Sequence, residues 1–278
     1  MTSSFSLTPA EFEKQYTGTA LLKTGLIMDD MEGIWLAWQT DQSAIEAALP
    51  PCLEFAAPVA MTYITQVDTG FAGPYREAAL IVPCHYGDVY GAYMQSILLE
   101  GPGAPQATIF GREMAGMPKK ICDSVSVELE GDIAKGRIVK DGVNVLETVV
   151  KLGEYNTPAG NEIFAGRVAG AALPNDNTFL VKYDLEQAED GHMFFTNGRL
   201  STTDNITKWS SWTPGTAEIT LNDCPNAPWS SLPVRAILAA GYGKFSMTDF
   251  STREIAKIDI DENIRYLLPA RYERRLFS

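Results

Sequence analysis

Hydrophobic and polar positions alternate in short runs along this chain, and glycine, proline, asparagine or aspartate separates one run from the next. A period of two residues is typical of strands that bury one face. The Asp141-Gly142 pair between two such runs is a strong signal for an antiparallel hairpin. The pattern predicts short strands within residues 34–38, 59–67, 78–82, 92–99, 125–129, 136–139, 143–150, 179–183, 193–195, 217–221, 234–238 and 245–250.

Helices are predicted to be few and short. Thr8 and Glu11 flank a proline in the pattern of a capping box, and Pro50 and Pro51 must end any helix that precedes them. The predicted helices follow Thr8 or occupy residues 41–49, 106–114 and 261–267. Residues 154–177 are rich in Gly, Ala, Asn and Pro, and predict a long surface loop or, alternatively, a lid.

These elements predict an α+β fold that is mainly antiparallel β. The sheet is expected to curl or close into a β-barrel-like form around a central hydrophobic cavity. At 278 residues the chain can bury a substantial core. We treat residues 1–278 as a single domain.

The chain is acidic, with 22 lysines and arginines against 35 aspartates and glutamates and a formal net charge of −13. A negative surface repels phosphate backbones and anionic lipid headgroups, so neither nucleic acid nor a membrane is expected as a partner. A keto acid would be repelled too, and would need a local positive site. In sequence, the cations that could form one are Arg76, Arg112, Lys119 and Lys120.

Neither a metal nor an organic cofactor is predicted. The four cysteines and two histidines lack the spacing of a zinc site or a disulfide framework, and no dinucleotide, metalloprotease or serine-hydrolase motif occurs. Buried free thiols are expected instead. Because no basic and apolar leader opens the sequence and no apolar run approaches about 18 residues, a cytoplasmic location is expected.

Lys119 and Lys120 stand side by side after Gly116-Met117-Pro118. A lysine in apolar surroundings loses solvation of its ammonium form, so a neutral, nucleophilic amine that can attack a ketone becomes available near neutral pH. A neighbouring ammonium can have the same effect. In an extended run, however, adjacent side chains point to opposite faces, which favours desolvation over an effect of Lys120 on Lys119. The alternative is a solvated basic pair after a turn.

Three ordered motifs resemble those of the acetoacetate decarboxylase family. Residues 111–120 (Gly-Arg-Glu, then Gly-Met-Pro-Lys-Lys) are similar to the family's lysine motif. Residues 73–77 (Gly-Pro-Tyr-Arg-Glu) resemble the segment that carries an active-site glutamate, and residues 212–234 resemble a C-terminal segment. The likeness extends over roughly residues 20–250.

The resemblance implies that Lys119 forms a Schiff base in a hydrophobic cavity of a homo-oligomer, and that Glu77 moves protons or orients water there. An ordinary ion-paired glutamate is the alternative for Glu77. We include Lys120 among the catalytic candidates. The candidates for substrate binding are Tyr63, Arg112, Met117 and Tyr242. Arg112 is alternatively a structural partner of Glu113, and Tyr242 is alternatively an ordinary core tyrosine or a proton-transfer group.

The chain departs from the family pattern at two polar positions. Met31 stands where the family's decarboxylases carry an arginine thought to receive the substrate carboxylate, and Tyr63 falls near a second family glutamate. No arginine occurs before Arg76. These differences leave the lysine in place but weaken the case for acetoacetate itself.

We therefore keep three hypotheses for function. The first is a Schiff-base lyase that decarboxylates a small β-keto acid such as acetoacetate. The second is an aldolase-dehydratase that condenses pyruvate or another 2-keto acid with an aldehyde through the same lysine, as the resemblance to the wider superfamily implies. The third is a barrel that binds a small hydrophobic ligand without turnover.

Overall fold

The computed structural model describes residues 6–14 and 27–276, which contain five α-helices and twelve strands. The helices are α1 (Pro9–Phe12), α2 (Gln42–Ala48), α3 (Ala104–Ala115), α4 (Gly160–Ile163) and α5 (Ile260–Arg271). The strands are β1 (Met28–Gln39), β2 (Glu54–Phe55), β3 (Val59–Gly70), β4 (Tyr75–Tyr86), β5 (Val89–Glu100), β6 (Lys119–Ile121), β7 (Ser124–Glu130), β8 (Ile133–Lys140), β9 (Val143–Leu152), β10 (Ala172–Gln187), β11 (Met193–Leu221) and β12 (Ala236–Lys257).

The strands form one curled, mainly antiparallel sheet in the order β10-β5-β4-β3-β1-β12-β11-β9-β8-β7. Strand β10 also pairs with β11, so the sheet bends far enough for β10 to contact both β5 and β11. Two short strands lie off this path: β2 pairs with β4, and β6 pairs in parallel with β5. The predicted α+β fold with a curled antiparallel sheet is confirmed.

Several strands are longer than the sequence pattern indicates. Strand β11 has 29 residues, whereas the pattern indicates only 193–195 and 217–221. The intervening residues are rich in Ser, Thr and Asn, whose polar side chains conceal the alternation, yet Ser201 and Thr202 are buried. Register shifts interrupt its pairing with β12 at three places between Leu200 and Ser211, and the strand continues past Pro214.

Helices α1, α2 and α5 begin within one residue of the predicted start, whereas α3 begins two residues before it. The capping box of α1 is present, with Thr8 and Glu11 bonded reciprocally. Helix α3 ends at Gly116, which has φ 73° in the left-handed region. The prediction that the last helix stops before Pro269 is wrong, because α5 continues to Arg271 with Pro269 inside it. The predicted Asp141-Gly142 turn joins β8 to β9, with φ values of 52° and 74°.

The segment between β9 and β10, residues 155–171, lies against the sheet. Its backbone is bonded to the strands at both ends: Thr157 donates to Leu238 at 3.1 Å, and Gly170 donates to Trp209 at 2.8 Å. Phe164 in its middle is 2% exposed. Residues 154–177 thus do not form the single surface loop that the sequence predicts, because residues 172–177 belong to β10 and the 155–171 segment covers one side of the sheet's interior.

Candidate active site

A cavity of about 350 Å³ lies inside the curled sheet. Its wall is formed by strands β1, β3, β4, β5, β10, β11 and β12, by helix α3 with the turn after it, and by the 155–171 segment. Most of the lining side chains are apolar, with methionine the commonest type. The charged side chains among the described lining residues are Glu77, Lys119 and Arg167.

Lys119 and Glu77 meet at the cavity wall. The Nζ of Lys119 lies 3.4 Å from Oε2 of Glu77, and the two side chains are 6% and 3% exposed. Strand β4 supplies Glu77, and the first residue of β6 supplies Lys119. A lysine side chain and a carboxylate are therefore in contact at the wall of a mainly apolar cavity, and these are the residue types that imine chemistry uses.

Tyr63 holds the carboxylate from the other side. Its hydroxyl donates a hydrogen bond of 2.9 Å to Oε1 of Glu77. Burial, together with the nearby Glu77 carboxylate, raises the pKa of Tyr63 well above its ordinary value. Tyr63 thus remains a neutral phenol that can donate to Glu77 throughout the physiological pH range. The position that departs from the family pattern is occupied by a residue that orients the remaining glutamate.

The turn after α3 aims Lys119 into the cavity. The left-handed Gly116 ends the helix, Met117 N donates to Gly111 O at 3.0 Å, and Ile97 N of β5 donates to Pro118 O at 2.9 Å. A Cβ at position 111 would lie 2.9 Å from Cδ of Lys119, so only glycine leaves room for the lysine stem there. The glycines of the lysine motif are explained by these two local needs.

A second cation in the cavity, Arg167, is absent from our sequence prediction. It belongs to the 155–171 segment, and its guanidinium carbon lies over four aromatic rings, at centroid distances of 4.6 Å for Phe164, 5.1 Å for Trp35, 5.4 Å for Trp209 and 5.8 Å for Trp212. Burial lowers the pKa of Arg167 to about 10, which still leaves it charged at neutral pH. In the sequence it is an arginine within a Gly/Ala-rich connection, and that feature by itself does not indicate a site.

A family model described as acetoacetate decarboxylase (ADC) matches residues 9–259. The chain belongs to the acetoacetate decarboxylase family. Among curated relatives, a CLA biosynthesis isomerase of Lactiplantibacillus plantarum is 33% identical over 90% of both chains. Acetoacetate decarboxylase 3 of Mesorhizobium japonicum is 30% identical over 79% of this chain and 80% of its own.

Solved structures of the acetoacetate decarboxylase fold agree with the architecture. An acetoacetate decarboxylase-like enzyme from Sphingomonas wittichii RW1 has a TM-score of 0.68 at 16% identity, covering 93% of this chain and all of its own. The enduracididine biosynthesis enzyme MppR, solved with pyruvate, has a TM-score of 0.61 at 16% identity over 92% of this chain and 98% of its own. At these identities the likeness concerns the fold alone.

Of the remaining site candidates, Met117 lines the cavity but Arg112 and Tyr242 do not. Arg112 donates to the backbone carbonyl of Arg271, and its guanidinium lies 5.3 Å from the Tyr272 ring centroid. Arg112 is about 100° around α3 from Gly111, and that rotation turns it away from the cavity. Tyr242 pairs with Ile34 on β1, and both side chains lie on the same face of the sheet. Trp35, the next residue on β1, points to the opposite face and lines the cavity.

The departure at Met31 also has a structural outcome. Met31 is fully buried in the apolar cluster beside the cavity. Arg76, another expected cation, pairs with Glu100 at 2.9 Å and does not line the cavity. Of the four cations that we expected to form a positive site, only Lys119 lines the cavity. Among the described residues, the other cation that lines it is Arg167, which comes from the 155–171 segment.

Lys120 points away from the cavity, as the alternation along an extended strand requires. Its Nζ donates to the backbone carbonyls of Asn226, Pro269 and Tyr272, the last two at 3.0 and 3.4 Å. Three carbonyls match the three N–H donors of an ammonium group. Lys120 therefore ties β6 to the end of α5, and the structure does not bring it to Lys119 as a catalytic neighbour.

The Lys120→Met variant is expected to lose stability while keeping a reactive Lys119. Removing the donors takes a hydrogen bond from three partly buried carbonyls, which costs roughly 1–3 kcal/mol. Burial lowers the pKa of Lys120 to about 8. In the unfolded chain the pKa of a lysine is about 10.4. Between about pH 8 and this value the unfolded chain binds the proton of Lys120 and the folded chain does not, so Lys120 makes the free energy of unfolding rise with pH.

The stability gap between wild type and Lys120→Met should therefore widen from pH 7 to about pH 9.5. Urea unfolding at both pH values measures it. Unchanged stability combined with loss of Schiff-base formation would assign Lys120 a catalytic role instead.

Two absences complete the description of the chain over residues 6–14 and 27–276. No group of three or more His, Cys, Asp or Glu side chains there is arranged to hold a metal ion. Among the same residues, no helix is both long enough and apolar enough to pass through a bilayer.

Proposed function

We propose that this protein is a Schiff-base enzyme in which Lys119 captures the ketone of a keto acid and Glu77 moves protons on the resulting intermediate. The contact between Lys119 Nζ and Glu77 Oε2, 3.4 Å apart at the wall of an apolar cavity, is the observation that carries the proposal. The family assignment supports it, because acetoacetate decarboxylase is an established example of an enzyme that activates a lysine as its nucleophile.

The first steps are common to every reaction of this type. The Lys119 amine adds to the carbonyl carbon, and the carbinolamine loses water to give a protonated imine. The cationic nitrogen then accepts an electron pair from a bond at the neighbouring carbon, which yields an enamine. Water later hydrolyses the imine and regenerates the amine.

The reaction that we favour is migration of a carbon–carbon double bond. In a β,γ-unsaturated ketone bound as the imine, Glu77 removes the proton on the carbon next to the imine, and the electrons form a dienamine. Glu77 then returns the proton to the γ carbon, which gives the conjugated imine. One carboxylate in contact with the lysine is sufficient for both transfers. The 33% identical relative named as an isomerase supports this choice.

Decarboxylation of a small β-keto acid is the second candidate. Here the bond that breaks joins the carboxylate to the carbon next to the imine; carbon dioxide leaves, and Glu77 protonates the enamine carbon. A poorly solvated carboxylate in an apolar cavity favours this step. The relatives named acetoacetate decarboxylase support it. Aldol condensation of pyruvate with an aldehyde remains a prediction from sequence resemblance.

Two assays separate the candidates. A β,γ-unsaturated keto acid should give rising absorbance of the conjugated enone, with one deuterium at the γ carbon when the reaction is run in D₂O. Acetoacetate should release no carbon dioxide above the uncatalysed rate. Carbon dioxide release without enone formation would favour decarboxylation, and an enal from pyruvate with an aldehyde would favour the aldol reaction. Tight binding of ketones with no imine would leave only the hypothesis of a binding protein.

A further inference from the structure

Arg167 is the cavity cation that the proposed chemistry does not use. Lys119 has its carboxylate partner in Glu77, whereas no Asp or Glu among the described residues lies within ion-pair distance of Arg167. The residues outside the described ranges contain no aspartate or glutamate. A terminal nitrogen of Arg167 donates a hydrogen bond to the carbonyl of Ile163, at 3.2 Å. The Nε of Arg167 is buried and lacks an acceptor.

An arginine in this state is costly to the folded protein. Burying a charge without a counter-ion is unfavourable, and the cation–π contacts with the surrounding rings offset only part of that cost. A guanidinium presents paired N–H donors in a fork that fits a carboxylate. Because Arg167 lines the cavity, the missing acceptor can be supplied by a bound ligand.

The guanidinium is separated from the reacting amine. A series of contacts connects them: Arg167 lies over Trp35, Trp35 lies 5.0 Å from Tyr63 between ring centroids, and Tyr63 bonds to Glu77. Neither Glu77 nor Lys119 is an ion-pair or hydrogen-bond partner of Arg167, whose hydrogen bond goes to Ile163. A ligand that reaches both cations must therefore pass the apolar wall between them.

The size of the cavity agrees with such a ligand. Its volume of about 350 Å³ falls in the range of pockets that enclose drug-sized molecules, roughly 300–1,000 Å³. A four-carbon keto acid bound at Lys119 would leave most of this space empty. The acidic surface of the chain also makes a local cation necessary for any anionic substrate to be retained.

We propose that Arg167 binds the carboxylate of a keto acid whose ketone reacts at Lys119, with an apolar chain separating the two groups. The proposal rests on the Schiff-base function of Lys119. In this proposal the carboxylate binds to Arg167 within the ring of aromatic side chains. The enzyme then selects substrates by the distance between their ketone and their carboxylate.

The test compares an acid with its ester. Wild type and Arg167→Met are incubated with 8-oxononanoate, its methyl ester or acetoacetate, and borohydride reduction converts any imine to a stable adduct. The concentration that gives half-maximal labelling of Lys119 is the readout. For the acid, loss of the charged hydrogen bonds should raise this concentration about 10- to 100-fold in Arg167→Met. For the ester and for acetoacetate, wild type and variant should agree within about twofold.

Two further variants complete the design. Arg167→Lys keeps the charge without the fork, and should lie between wild type and Arg167→Met. Arg235→Met removes an exposed arginine that pairs with Asp41 at 2.6 Å and does not line the cavity, and this variant should match wild type with every compound.

The outcomes distinguish the two proposals. Equal labelling by acid and ester in wild type and Arg167→Met would overturn the carboxylate subsite while leaving the Schiff-base function intact. Parallel weakening for acid and ester would show that Arg167 only supports the cavity wall, and would also overturn the subsite. Failure of all three compounds to label Lys119 in wild type would overturn both proposals.

Discussion

The Lys119→Met variant is expected to have no measurable turnover, a loss on the order of 10⁶-fold, as when an enzyme loses its covalent nucleophile. Methionine has nearly the length of the lysine stem and fits the same space beside Gly111, so the cavity wall should be preserved. Glu77 keeps its hydrogen bond from Tyr63. Enone formation and imine capture are both measured on the purified variant.

The matched control for this loss is the same substitution one residue further along the strand. Lys120→Met removes an equally buried lysine, since both residues are 4% exposed, but from the opposite face. It should keep catalysis within a fewfold of wild type at a temperature where it remains folded. Retained turnover in Lys119→Met would contradict the covalent role of Lys119.

The Glu77→Gln variant is expected to form the imine but to transfer protons about 10²- to 10⁴-fold more slowly. Glutamine is close in shape to glutamate and can still accept the hydrogen bond from Tyr63, but its amide cannot accept and return a proton. Hydrogen–deuterium exchange on the carbon next to the ketone, measured by NMR in D₂O, reports this step directly.

Glu100→Gln is the matched control for Glu77→Gln. Glu100 is paired at 2.9 Å with Arg76, the residue beside Glu77, but it does not line the cavity. Exchange in this variant should equal that of wild type. Wild-type exchange in Glu77→Gln would remove Glu77 from the mechanism, and loss of imine capture in that variant would give Glu77 a role in the first step instead.

The parts of the site that sequence predicts are those set by local geometry. Gly111 leaves room for the stem of Lys119 and Gly116 forms the left-handed helix end, so the lysine motif can be recognised along the chain. The period of a strand also predicts that Lys119 and Lys120 face opposite sides, and the structure agrees with that expectation. Glu77 is found only through the resemblance of residues 73–77 to a family segment, because the strand pattern begins at residue 78 whereas β4 begins at Tyr75.

The parts that sequence misplaces depend on rotation or register. Arg112 is adjacent to a cavity-lining residue but lies on another side of α3. Tyr242 is on a strand that lines the cavity, but alternate residues of a strand face opposite sides of the sheet, and Tyr242 faces away from the cavity. Neither error can be seen without knowing which face of each element turns inward.

Arg167 could not be found from the sequence because its position depends on tertiary structure alone. The 155–171 segment has no periodicity, and its path follows from contacts with distant strands, such as the 2.9 Å hydrogen bond from Trp212 Nε1 to the Tyr155 hydroxyl. The rings around Arg167 come from β1, from β11 and from the segment itself. Such an enclosure appears only when the sheet has curled.

Reductive trapping at Lys119 tests the central claim most directly. Wild-type protein is incubated with each of acetoacetate, pyruvate and 8-oxononanoate, reduced with borohydride, digested and analysed by peptide mass spectrometry. We expect at least one keto acid to add its reduced mass to the peptide that contains Lys119, and none to label that peptide in Lys119→Met. Absence of label with all three compounds, or label confined to other lysines, would contradict the assignment of Lys119 as the Schiff-base residue.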